Sequence, residues 1–148
     1  MRDLPRQLTV DQLAELFEGR TRLVELLAER EDPLGAAAEE VAAGLREQDK
    51  LEALDAHPAL GAPNLSQRSA REQGAAADAS TSADLAYLNG VYEEKFGFRF
   101  VVFVDRRPTS ELVPVLRERL RRTREQELET ALGELIAIAR DRWTRGAA

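Results

Sequence analysis

The chain contains no cysteine. That absence removes disulfides, thiolate metal sites and a cysteine nucleophile together, and it suits a reducing compartment. Histidine is nearly as scarce, His57 being the single one. Only histidine has an unperturbed pKa close to neutrality, so acid–base chemistry at pH 7 would point to this residue. The ligand-rich clusters of zinc sites are missing, as are a glycine-rich phosphate loop and a nucleophile elbow. No apolar run reaches membrane-spanning length, and MRDLPRQLTV lacks a signal-peptide core, so a cytoplasmic protein with no membrane partner is expected. Positive charge is not in excess either. A net charge of −6 gives no basic footprint for nucleic acid. Any anion would have to be held locally, by an arginine or a helix N-terminus.

What is present reads as one globular domain over 1–148, with 43% hydrophobic and 32% charged residues. A chain of this length can bury a core without covalent staples. Aromatics are few, at 5%, while Ala, Leu, Glu and Arg are abundant, which favours helices. Thr9-x-x-Gln12 predicts a capping box, with Leu13, Leu16, Phe17, Leu23, Leu26 and Leu27 falling on two helices that meet near Gly19. Asp32-Pro33 predicts the start of a third helix, through the Ala-rich 36–44. A short helix over 47–54 leads to His57-Pro58, where the proline disfavours helical backbone at His57. A loop over 61–64 and a helix from Leu65 or Ser66 to about Ala76 follow. Ser82 then caps a helix whose face is Leu85, Leu88, Tyr92 and Phe96; Asn89 shares that face and needs a partner there. The run 95–105 reads as a strand taken alone, but no second strand is evident to pair with it. An extended buried segment near 96–104, crossing a helical bundle and offering backbone N–H groups to a ligand, is the expectation. A helix from Ser110 to about Leu120 tolerates Pro114 only near its first turn. Thr123-x-x-Gln126 opens the last helix, to about Trp143. The fold class is all-α, a single-domain bundle of seven or eight helices.

Three sets of residues could carry chemistry, and each also has a plain structural reading. His57 before Pro58 is either an acid–base group or a satisfied loop residue. Ser69, Glu72 and Gln73 stand one turn apart on one helix face, yet Ser69-x-x-Glu72 also fits a capping box. At 100° per residue Arg142 falls on the apolar face of the last helix, beneath Ile138 and Leu135. It either snorkels from the helix end or turns inward to hold a carboxylate.

In combination these pieces resemble one family. His57-Pro58, Ser69-x-x-Glu72-Gln73 and Leu88-Asn89-x-x-Tyr92-x-x-Lys95-Phe96-Gly97-Phe98, continuing into Phe100-Val101, are similar to the signature of OHCU decarboxylase. The ordered match covers about 51–142. The resemblance implies an all-α fold, decarboxylation of 2-oxo-4-hydroxy-4-carboxy-5-ureidoimidazoline to (S)-allantoin in urate degradation, no metal or organic cofactor, and a homodimer acting on a small molecule. It makes His57 and Glu72 the catalytic pair. Pro58, Ser69, Gln73 and Arg142 become substrate-binding residues, together with backbone amides around Phe98 and Phe100. Ala59 stands where the family usually carries a charged residue, and the loop to Ser69 is short. A non-catalytic helical interaction module, or a lyase or hydrolase acting on a related ureido compound, would keep the same core.

Overall fold

In a computed structural model of the chain, Thr9 caps the first helix through both bonds of a capping box with Gln12. The structure describes residues 2–60 and 79–146. Helix α1 (Val10–Phe17) buries Leu13, Leu16 and Phe17 and ends at Glu18, which takes the left-handed conformation at φ 62°. Thr21 then caps α2 (Arg22–Ala28) by accepting from Val24 N–H. Helices α3 (Ala36–Gly44) and α4 (Glu47–Asp55) follow, then α5 (Ala79–Phe96), α6 (Thr109–Arg119) and α7 (Arg124–Thr144). These are seven helices among the described residues, with no strand.

The longest helix organises the rest. At 21 residues α7 runs about 31 Å, since each residue adds about 1.5 Å. Thr123 and Gln126 close its capping box as expected. Leu128, Ala131, Leu132, Leu135, Ile136, Ile138 and Ala139 form its buried stripe. Helices α1, α3 and α4 pack on it, α2 closes against α1, α3 and α4, and α5 pairs with α6. None of the described helices is long and apolar enough to cross a membrane.

Three local expectations need correction. Asp32 does not cap α3: its φ is 55°, outside the extended region an N-cap requires. Its carbonyl instead accepts from Gly35 N–H in a turn, and α3 begins at Ala36 after Gly35. Ser82 lies inside α5, which already includes Ala79. Pro114 falls in the second turn of α6 rather than the first, so the helix forgoes one backbone bond there. The helix expected over 65–76 lies outside the described residues.

The extended segment after α5 is buried, as its composition implied. Phe98, Phe100, Val101, Val102 and Val104 are all core residues. With no partner strand among the described residues, its backbone polar groups still need partners, and long side chains supply several. Arg119 Nη1 donates to Val101 O at 2.7 Å, and Arg107 donates to Phe103 O and Val104 O at 2.6 and 3.0 Å. Arg124 Nε donates to Phe96 O at 2.9 Å. Arginine forks do here what a neighbouring strand would do in a sheet.

Candidate active site

His57 follows directly on α4. Its N–H closes the last turn onto Leu54 O at 3.1 Å, and Pro58 prevents the helix from going on. The imidazole is buried, 7% exposed, and its Nδ1 has no hydrogen-bond partner among the described residues. Pro58 is half-buried beside it. Two residues on, Leu60 O accepts from Asn89 Nδ2 at 3.1 Å, which ties the histidine loop to α5. That is the partner the inward Asn89 required.

Arg142 reaches the same region from α7. It is 2% exposed, so it points inward rather than snorkelling to solvent. Nη1 donates to Leu16 O at 3.0 Å, and Nη2 lies 3.5 Å from a carboxylate oxygen of Glu18. The end of α1 thus holds the guanidinium, and the left-handed turn at Glu18 brings its carboxylate there.

The electrostatics follow from this packing. Burial lowers the pKa of His57 from 6.5 to about 4, because the charged form loses its water. The Arg142 cation lowers it further, Glu18 opposes the shift, and Arg99 adds to it. His57 is therefore neutral at pH 7. One ring nitrogen can then accept a proton while the other donates a hydrogen bond.

The model of the OHCU decarboxylase family matches residues 2–144. The chain belongs to the OHCU decarboxylase family. It is 32% identical over 98 residues to the 2-oxo-4-hydroxy-4-carboxy-5-ureidoimidazoline decarboxylase of Halalkalicoccus jeotgali, covering 63% of this chain and 56% of that protein. It is 36% identical over 100 residues to the uric acid degradation bifunctional protein TTL of Arabidopsis thaliana, covering 61% and 31%. The matches thus span about half and about a third of those relatives' own lengths. The crystal structure of an OHCU decarboxylase in the presence of (S)-allantoin shares the fold, with a TM-score of 0.69 at 24% identity over 90% of this chain and 96% of that one. The crystal structure of an (S)-allantoin synthase superposes with a TM-score of 0.64 at 25% identity, over 92% and 47%.

Within this OHCU decarboxylase fold the other expected site residues divide. The rings of Phe98 and Phe100 are core, with centroids 5.9 and 5.1 Å from that of Tyr92. Ser69, Glu72 and Gln73 lie outside the described residues. Among the described residues no group of His, Asp or Glu side chains could hold a metal ion.

Sequence reasoning overlooked two charged neighbours of the histidine and one buried hub. Glu18 was hidden by Gly19, the residue that normally takes a left-handed turn. Arg99 had a legible signal, since alternation with Phe98 and Phe100 turns it away from the core phenylalanines. The hub is Glu127, fully buried on α7. It accepts from Tyr92 Oη at 2.6 Å, Arg119 Nε at 2.7 Å and Arg122 Nη1 at 2.9 Å. Burial, and then the bond to Glu127, push the Tyr92 phenol above its usual range, so it stays a donor. Periodicity places Glu127 beside the apolar stripe but carries no sign of its three partners.

Proposed function

We propose that this chain decarboxylates 2-oxo-4-hydroxy-4-carboxy-5-ureidoimidazoline to (S)-allantoin without an electron-sink cofactor, as a homodimer in the cytoplasm. The observation that carries the reading is a buried, neutral histidine whose Nδ1 has no partner among the described residues, within electrostatic reach of a buried arginine. Such a pair suits an anionic substrate that must lose a proton from a hydroxyl group.

The chemistry assigns the roles. When the carboxylate leaves as CO2, its bonding electrons pass into the adjacent ring C=N, and that nitrogen takes up one proton. The hydroxyl-bearing carbon becomes a carbonyl as His57 accepts the hydroxyl proton. Glu72 delivers a proton to one face of the carbon carrying the ureido group, which sets the S configuration. Arg142 positions the substrate; too strong a grip on the carboxylate would stabilise the ground state and slow its departure. Ser69, Gln73 and Pro58 hold the ureido and ring groups, and backbone amides near Phe98 and Phe100 meet the ring carbonyl as charge develops there.

The test generates the unstable substrate in situ and follows the rate and chirality of allantoin formation. Acceleration with excess S product is expected from the native chain, and neither from His57→Asn. Racemic allantoin at the spontaneous rate, or full activity in His57→Asn, would overturn the reading and favour a non-catalytic interaction module. Sedimentation equilibrium reads the dimer separately.

A further inference from the structure

Arg99 interlocks the histidine with the extended segment. Its Nη1 donates to His57 O at 2.7 Å and to Asp55 O at 3.0 Å, while its backbone N–H donates to Asp55 Oδ1 at 3.2 Å. Its Nε lies 3.7 Å from a Glu93 carboxylate oxygen on α5, too far for a hydrogen bond. One side chain therefore spans the C-terminal end of α4, the carbonyl of the histidine itself and the segment containing Phe98 and Phe100. The carbonyls at a helix end lack intrahelical partners and carry the negative end of its dipole, so a guanidinium is well matched to them.

We propose that Arg99 is a positioning residue for His57, holding the imidazole in register with the Phe98–Phe100 backbone so that both act on one substrate. The inference rests on the decarboxylase reading for its activity arm only. The two hydrogens of Nη1 lie in the plane of the guanidinium, so a group that bonds the carbonyls of Asp55 and His57 together fixes both distance and orientation, which a freely rotating point charge does not. The phenylalanines on either side anchor the segment in the core, so the histidine is referenced to a rigid element. Arg142, Glu18 and Arg99 are the charged groups that act on the imidazole among the described residues.

Two variants separate positioning from mere helix capping. Arg99→Met removes the charge and the donors, while Arg99→Lys keeps the charge without the planar guanidinium. Both should lose about 10- to 100-fold in kcat, the order expected from a misplaced reacting group, with KM within about twofold of native. The single histidine allows an assignment-free readout, the NMR titration of its imidazole C–H signals in substrate-free protein. The titration should move to higher pH in Arg99→Met, where a repelling cation is lost, and stay near native in Arg99→Lys. Native kcat in either folded variant overturns the proposal. So does a lowered Tm with kcat and titration unchanged, the result of capping alone. Should Arg99→Met fail to fold, Arg99→Lys decides by its kcat. If the native chain shows no acceleration, the decarboxylase reading has failed, and the C–H chemical shifts of the neutral imidazole in Arg99→Lys judge Arg99 alone: native shifts overturn the positioning role, displaced ones support it.

Discussion

At the scale of single residues, the cost of keeping His57 neutral should appear in the stability of the whole chain. Its folded pKa of about 4 lies below the ordinary 6.5. Between those values the unfolded chain binds the proton and the folded one does not. Stability is therefore highest above about pH 6.5 and falls as the pH drops toward 4, by on the order of 3 kcal/mol for this group at the limit. Denaturant midpoints at pH 7 and pH 5 should fall more for the native chain than for His57→Asn, which has no such proton to exclude. Glu127 makes the opposite kind of prediction. Replacing it with Ala leaves the buried Arg119 without its carboxylate and removes acceptors from Tyr92 and Arg122. A loss of about 3–5 kcal/mol is expected, measured by urea unfolding at pH 7. Tyr92→Phe removes one hydrogen bond to a charged acceptor and should cost about 1.5–3 kcal/mol.

Among the elements, α7 and the segment after α5 depend on each other. The helix supplies the buried Glu127 that holds Arg119, and Arg119 holds Val101 O. Its other end supplies Arg142 to the candidate site. The capping box that starts α7 is a local feature and can be tested alone. Thr123→Ala should lower stability by about 1 kcal/mol, read as a reduced urea midpoint with an unchanged m-value, and leave activity intact. The capping boxes at Thr9 and Thr123 were legible because a cap requires only a few neighbouring residues. Asp32-Pro33 misled because its turn is bound from elsewhere: Asp32 N–H donates to Arg6 O at 2.7 Å, across the chain. The extended segment was legible from its phenylalanine alternation and from the lack of a second strand. Arg119 and Arg124, which help to satisfy it, were not, because their reach across the fold leaves no periodic trace.

Over the whole molecule, the N-terminus is fastened to the end of α7. Arg2 lies over the Trp143 ring, 3.5 Å from its centroid, and its Nε donates to Trp143 O at 2.8 Å. Trp143 Nε1 in turn donates to Asp3 O at 2.7 Å. Trp143 is the only tryptophan, so its fluorescence reports this junction directly. If 1–148 is one cooperative domain, fluorescence and far-UV circular dichroism should give coincident urea transitions. A separate early fluorescence transition would show the terminal clasp opening independently of the bundle.

By itself the sequence determined the helical class, both capping boxes, the buried phenylalanine segment, and the inward faces that carry Asn89 and Arg142. These follow from local spacing, because periodicity and caps are properties of neighbouring residues. Only the tertiary structure decided that His57 is buried beside Arg142, that Glu18 faces the same guanidinium, that Arg99 grips the histidine's own carbonyl, and that Glu127 gathers three donors. The first three join residues far apart in the chain, as does the bond from Tyr92 to Glu127, and burial acts on all of them. Removing water strengthens every such contact and holds His57 neutral, and that cannot be read from spacing along a single strand of sequence.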